Sequence, residues 1–221
     1  MIRQSVCDAN RDLRTEGLVT MHSGNVSGRD GDVLYIKPSG MDYDAMTPDK
    51  MVPVNIATGE VLETTYKPSV DLPHHLFLYR NDPSIQAVVH THSNYATAFA
   101  AHHRPIPLVL TAIADEFGGA IPCAPYVDNE GDHIGQAIMA HRTQAPAILL
   151  GNHGVFAWGG SVKDALKAAV MVEDVAKTVH LALQLGDPVH LDAEEALKWW
   201  DRYHNRYGQH WMPTEVSEPR D

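Results

Sequence analysis

Cysteine is nearly absent: two residues, Cys7 and Cys123, in a chain of 221. Neither stands in a CxxC or other metal-type spacing, so there is no basis for a disulfide framework or a thiolate metal site, and both read as plain buried thiols. Basic residues are also scarce. Seventeen Lys and Arg face 28 Asp and Glu, for a net charge of −11, and no cationic cluster offsets it. Binding a phosphate backbone needs clustered Lys and Arg, so nucleic acid is excluded as a partner. No uninterrupted apolar run approaches the roughly 20 residues that span a bilayer. The N-terminal segment MIRQSVCDANRDLRTEG lacks the apolar stretch of a secretory signal. The expectation is a soluble, cytoplasmic protein with no membrane partner.

What is present suits one domain. The hydrophobic share of 44% provides for a sizeable core, and the chain reads as one unit over 1–221 with a polar tail at 210–221. Apolar residues among polar ones predict a helix over 2–16. The Ser, Gly, Asn and Asp density from Ser23 to Asp32 predicts turns between short strands. VLYI predicts a strand stopping at Pro38, and the stretch 47–63 a Pro-started helical turn, a strand, a turn at Thr58-Gly59 and another strand. PSVDLPHHLFLYRNDP reads as a helix, IQAVVHTHS as a strand, NYATAFAAHH as a helix, AIPCAPY as a strand and GDHIGQAIMAHRT as a helix. PAILLGNHGVFAWGG reads as a strand pair turning at Asn152-His153-Gly154. The segment from Ser161 to Gly186 carries an N-cap serine and a terminal glycine, the marks of a long helix. A last helix spans about Ala193 to Tyr207. Interleaved strands and helices of this kind make a layered α/β domain.

Histidine is plentiful at 14 residues, and its spacing matters. In AVVHTHS, alternation puts His90 and His92 on the same side of their strand. Two such imidazoles can clasp a zinc ion if further ligands arrive from elsewhere. His153, in the tight turn GNHG, is the best third candidate, and Asp71, near the start of a helix, the fourth. The plainer alternatives are hydrogen-bonded core histidines and an acid that complements a helix dipole. The other histidines, His74 and His75 among them, show no comparable pattern and read as surface or structural. Three segments, SGNVSG, KPSG and KPSVD, offer hydroxyls and free backbone N–H groups of the kind that hold a phosphate. Lys37 and Lys67 stand beside two of them.

In their order and spacing, SGNVSG, YIKPSGMDYDAMTPDKMV, GEVLE, KPSVDLPHHLFLY, AVVHTHSNYATAFA, IPC and GNHGVFAWG resemble the class II aldolase/adducin-type family from about Asp12 to Tyr207. The stretch from Gly17 to Ser93 is most similar to the L-ribulose-5-phosphate 4-epimerase branch. IPCAPY and the C-terminal third are more similar to the L-fuculose-1-phosphate aldolase branch. The resemblance implies a single three-layer αβα domain with a central, mostly antiparallel sheet, assembled as a homotetramer with zinc sites at subunit interfaces. It implies metal ligands at His90, His92 and His153 with an acidic position at Asp71. Substrate-phosphate contacts fall on Asn25, Ser39, Gly40 and Ser69, with Lys37 alongside. The catalytic aspartate of the epimerase matches Asp115, and a tyrosine it receives from a neighbouring subunit matches Tyr207. The active-site tyrosine of the aldolase matches Tyr126. Departures are Val70 where the family commonly has a second serine, no histidine near Glu195 and Ala196, and APYV after IPC where the epimerase has another sequence.

The function this implies is a Zn2+-dependent, or other divalent-metal-dependent, epimerase of a phosphorylated ketose, working by retro-aldol and aldol steps through an enediolate held by the metal. On that reading Asp115 and Tyr207 serve the two faces of the aldehyde. The alternative is a ketose-1-phosphate aldolase releasing dihydroxyacetone phosphate and an aldehyde, with Asp71 and Tyr126 carrying more of the proton traffic. A non-enzymatic adducin-like interaction domain is a third reading, and it has no need for a three-histidine set.

Overall fold

Strand residues alternate between two apolar environments, and this alternation divides the molecule into layers. The computed structural model describes residues 1–208. Its strands are β1 (Asn25–Asp30), β2 (Val33–Ile36), β3 (Val52–Asn55), β4 (Ala87–Thr91), β5 (Cys123–Ala124), β6 (Ala147–Leu150) and β7 (Gly154–Gly159). They form one open sheet in the order β3-β2-β1-β4-β7-β6-β5, antiparallel at every step except β5 beside β6. Val26, Val89, Leu149 and Val155 face one core, where α1 (Ile2–Thr15), α3 (Asn94–Ala101), α4 (Thr111–Phe117), α6 (Val162–Leu183) and α7 (Ala193–Arg206) pack. Leu34, Val88, Ile148 and Phe156 face the other, under α2 (Leu72–Asn81) and α5 (His133–His141). The three-layer αβα architecture with a mostly antiparallel sheet is the one the sequence implies.

The long helix α6 anchors the first layer. The Ser161 side chain accepts from the Asp164 N–H and caps it, and Ala165, Ala168, Ala169, Val172, Val175, Ala176 and Val179 make its buried stripe. Small residues at spacings of three and four let the helix lie close over β4 and β7. Cys7 is a buried free thiol and Cys123 a half-buried one.

Four local expectations are corrected. The polar stretch read as turns contains β1, a largely buried strand. TAIADEF, given no element, is α4. The strand expected after Thr58-Gly59 is a single bridge between Val54 and Val61, and the AIPCAPY strand reduces to two residues, β5. The polar tail at 210–221 lies outside the described residues.

Candidate active site

β4 runs through the middle of the sheet, and alternation turns His90 towards the α2 layer beside Phe156, on which it stacks at 4.4 Å between ring centroids. Its Nδ1 donates to the Val155 carbonyl at 2.8 Å, which leaves Nε2 with the free lone pair. His92 follows one residue past the end of β4 and is exposed, while His153 sits half-buried in the β6–β7 turn after Asn152, whose φ is +57°. The turn can approach the histidine strand because Gly154 has no side chain. A Cβ there would collide with the Thr91 carbonyl oxygen and stand 2.6 Å from His92 Cδ2.

The three rings therefore converge. Their centroids are 4.7, 5.0 and 5.2 Å apart, and one nitrogen from each lies within 4.8 Å of the others. Burial holds His90 down to about 3 against the opposing pull of the Asp71 carboxylate. It also lowers His92 and His153. Neutral imidazoles with lone pairs meeting at one point are the donor set a zinc ion takes. The residues fit that group.

Asp71 lies in the same cleft but outside the mutually close set. It occupies the N-cap of α2, yet its side chain does not cap the helix. The carboxylate turns to Asn25, whose Nδ2 donates to Oδ2 at 2.6 Å and to Ser69 Oγ at 3.0 Å. Burial raises the Asp71 carboxyl, and His90, His75 and the Asn25 amide together bring it below its ordinary value. Asn25 reaches this place because it stands opposite His90 in the β1–β4 register, on the same face.

The two Ser-bearing turns meet over the cleft although thirty positions separate them. Ser39 N donates to the Lys67 carbonyl and Ser69 N to the Lys37 carbonyl, both at 2.9 Å, around a bridge between Pro38 and Pro68. Gly40 takes a φ of +65° at the rim. Lys37 is buried, its Nζ bonded to the His22 carbonyl at 2.9 Å and lying 5.0 Å from the Tyr43 ring centroid. Burial lowers its pKa, with Asp71 opposing. Asn25, Lys37, Ser39, Gly40, Ser69, Asp71 and the three histidines all line one cleft of about 200 Å3, with the exposed Val70 also on its wall. A larger groove of about 560 Å3 between α1 and the start of α6 contains no histidine among the described residues; the chemistry, not the size, selects the smaller one.

Three predicted residues lie elsewhere. Asp115 is half-buried on α4, Tyr207 is 64% exposed just after α7 and stacks on Tyr203, and Tyr126 is 59% exposed in a separate groove with His133 and Asp128. Within one chain none of them lines the histidine cleft. Conversely, three residues at or beside the cleft were not expected there, His22 and His74 having read as surface or structural. His22 and Asn129 line the cleft, and the buried His74 donates from Nε2 to Asn129 Oδ1 at 2.5 Å. His75, also buried, bonds through Nδ1 to Ser27 Oγ, which in turn bonds the Tyr79 hydroxyl. Positions 71, 74 and 75 share one helix face, the signal that could have drawn both histidines to Asp71.

Known structures carry the same arrangement of elements. A solved L-fuculose 1-phosphate aldolase superposes with a TM-score of 0.83 at 27% identity, over 92% of this chain and 96% of its own. YgbL from Escherichia coli, a candidate aldolase/epimerase/decarboxylase, gives 0.75 at 28% identity over 90% and 97%. The L-fuculose 1-phosphate aldolase of Glaciozyma antarctica PI12 shares the fold at 23% identity, with a TM-score of 0.77 over 91% and 80%. The family model for the class II aldolase and adducin N-terminal domain matches residues 4–180, a span that takes in the whole histidine cleft, and the chain belongs to that family.

Proposed function

We propose that this is a metal-dependent aldolase that breaks, and in reverse makes, the carbon–carbon bond between the α and β carbons of a phosphorylated ketose. The observation that carries the reading is the cleft itself: three converging neutral imidazoles at one end, paired serine turns at the other, and a single carboxylate, Asp71, between them. His90, His92 and His153 are the residues that would hold the metal, and zinc suits them best. When bound there, a divalent cation acts as a Lewis acid that draws charge from the substrate oxygens as the bond breaks.

The chain's own groups divide the remaining work. The Ser39 and Ser69 hydroxyls and the Gly40 N–H receive the phosphate, and the Lys37 ammonium supplies local positive charge that a chain of net charge −11 otherwise lacks. Asn25 fixes the Asp71 carboxylate by its amide, so that Asp71 can accept a substrate hydroxyl proton and return it. Tyr126 and Tyr207, large aromatics exposed on one chain, reach the cleft of a neighbouring copy in a homotetramer.

An epimerase of L-ribulose 5-phosphate type is the second reading. It is favoured by one observation: α4 and α7 pack against each other, so a neighbouring copy that presents Asp115 also presents the end of α7 with Tyr207. It ranks second because epimerisation needs acid or base groups on both faces of the aldehyde, and the cleft of one chain holds a single carboxylate among the described residues. Zinc-loaded protein is offered a ketose 1-phosphate and L-ribulose 5-phosphate in turn. Dihydroxyacetone phosphate from the first, with no xylulose 5-phosphate from the second, is the expected result; the converse makes the enzyme an epimerase. Folded protein that binds no divalent metal would return the chain to the adducin-like, non-enzymatic reading.

A further inference from the structure

His90 owes its orientation to the bond from Nδ1 to Val155, but His92 and His153 make no side-chain hydrogen bond among the described residues. The position of His92 must come from its backbone. That backbone is the short link between β4, which ends at Thr91, and α3, which begins at Asn94. Ser93 is the N-cap of α3, the residue type that ordinarily accepts a bond from the first turn. Here it does not: the Ser93 hydroxyl is buried and has no partner among the described residues.

The cap is supplied from another helix instead. Glu173, half-buried on α6, accepts from the Tyr95 N–H through Oε1 and from the Ala96 N–H through Oε2, each at 2.9 Å. Both carboxylate oxygens are thus engaged by two successive amides of the first turn of α3, three and four residues after His92. An anion at this end also complements the helix dipole. We propose that Glu173 is a positioning residue for the metal centre: by clamping the start of α3 to α6 it holds the β4–α3 link, and with it His92, at the point where the three imidazoles meet. Gly154 gives the matching restraint from below, with the His92 ring laid over the place of its missing Cβ.

The inference rests on the reading of the histidines as metal ligands, and its test separates the two. Wild-type protein and Glu173→Gln are freed of metal and titrated with Co2+ against a competing chelator, with the visible d–d spectrum recorded. Glutamine keeps one acceptor oxygen but turns an NH2 group towards the second amide. The expected result is Co2+ binding about tenfold weaker, the lower end of what is lost when an outer support of a metal ligand is removed, with an altered spectrum. Glu116→Gln, which weakens the Lys167–Glu116 ion pair between α6 and α4, serves as a destabilised control whose Co2+ affinity and spectrum stay those of wild type. Unchanged affinity and spectrum in folded Glu173→Gln overturn the role of Glu173 alone. A wild type that takes up no Co2+ overturns the metal reading itself and this role with it. Where Glu173→Gln does not fold, Glu173→Asp, one methylene too short to reach both amides, is judged by the same two outcomes.

Discussion

At the residue scale, the convergence of the three histidines depends on one missing methyl group. Alanine at position 154 would set its Cβ against the Thr91 carbonyl and 2.6 Å from the His92 ring, and neither the central strand nor the ring can yield without disturbing the cluster. Gly154→Ala should cost about 1–3 kcal/mol, the usual range for overpacking, and should lower metal content as well as melting temperature. His153→Ala is the opposite case. It deletes a half-buried imidazole of the proposed metal site in a turn, so metal analysis should find the site depleted while the metal-free protein melts close to wild type. Asp71 separates two roles the sequence leaves open. As a proton carrier rather than a ligand, Asp71→Asn should keep its metal and lose about 10²–10⁴ in kcat, the span of general acid–base catalysis. Lost metal in that variant would make the carboxylate a ligand instead.

At the scale of elements, α6 could be read from the chain because its signals are local: a capping serine, Asp164 in the first turn and an unbroken small-residue stripe. Ser161→Ala should therefore cost about 1 kcal/mol, a fall of about 2–4 °C in a chain of this size, without touching metal content; thermal melts of both forms check it. Elements whose support is remote were not legible. β1 reads as turns since Asn25 and Ser27 are polar, yet each is hydrogen-bonded to residues more than forty positions away, the Asn25 Nδ2 to Ser69 and Asp71 and the Ser27 hydroxyl to His75 and Tyr79. α4 has seven residues, no capping side chain at Leu110, and only the left-handed Gly118 to end it; its packing on α7 and α6 forms it. The site divides in the same way. His90 and His92 announce themselves by alternation, whereas the pairing of the two KPS turns and the approach of His74 to Asn129 arise only once the sheet has assembled.

At the scale of the whole molecule, the buried histidines couple folding to acid. Fully buried His75 is lowered by burial to about 3, with Asp71 pulling the other way and His74 adding to the fall, against roughly 6.5 in an unfolded chain. Between those values the unfolded state binds a proton that the native state does not, so stability rises with pH across that window. It is complete above about 6.5 and drains as the pH falls. His75 alone contributes a slope of up to about 1.4 kcal/mol per pH unit. In metal-free protein His90, also lowered to about 3, adds a similar slope, and Asp71, lowered as well, acts in the same direction nearer its own range. Against a total of about 5–15 kcal/mol, a fall from pH 6.5 to 5 removes a large share. Urea midpoints of chelator-treated protein should therefore drop steeply between pH 7 and pH 5. His75→Gln, whose amide can still hydrogen-bond Ser27 but cannot titrate, should reduce that slope by up to about 1.4 kcal/mol per pH unit. Equal slopes in the two proteins would mean that the proton taken up on unfolding belongs to another group, and that His75 is no part of the acid sensitivity of this fold.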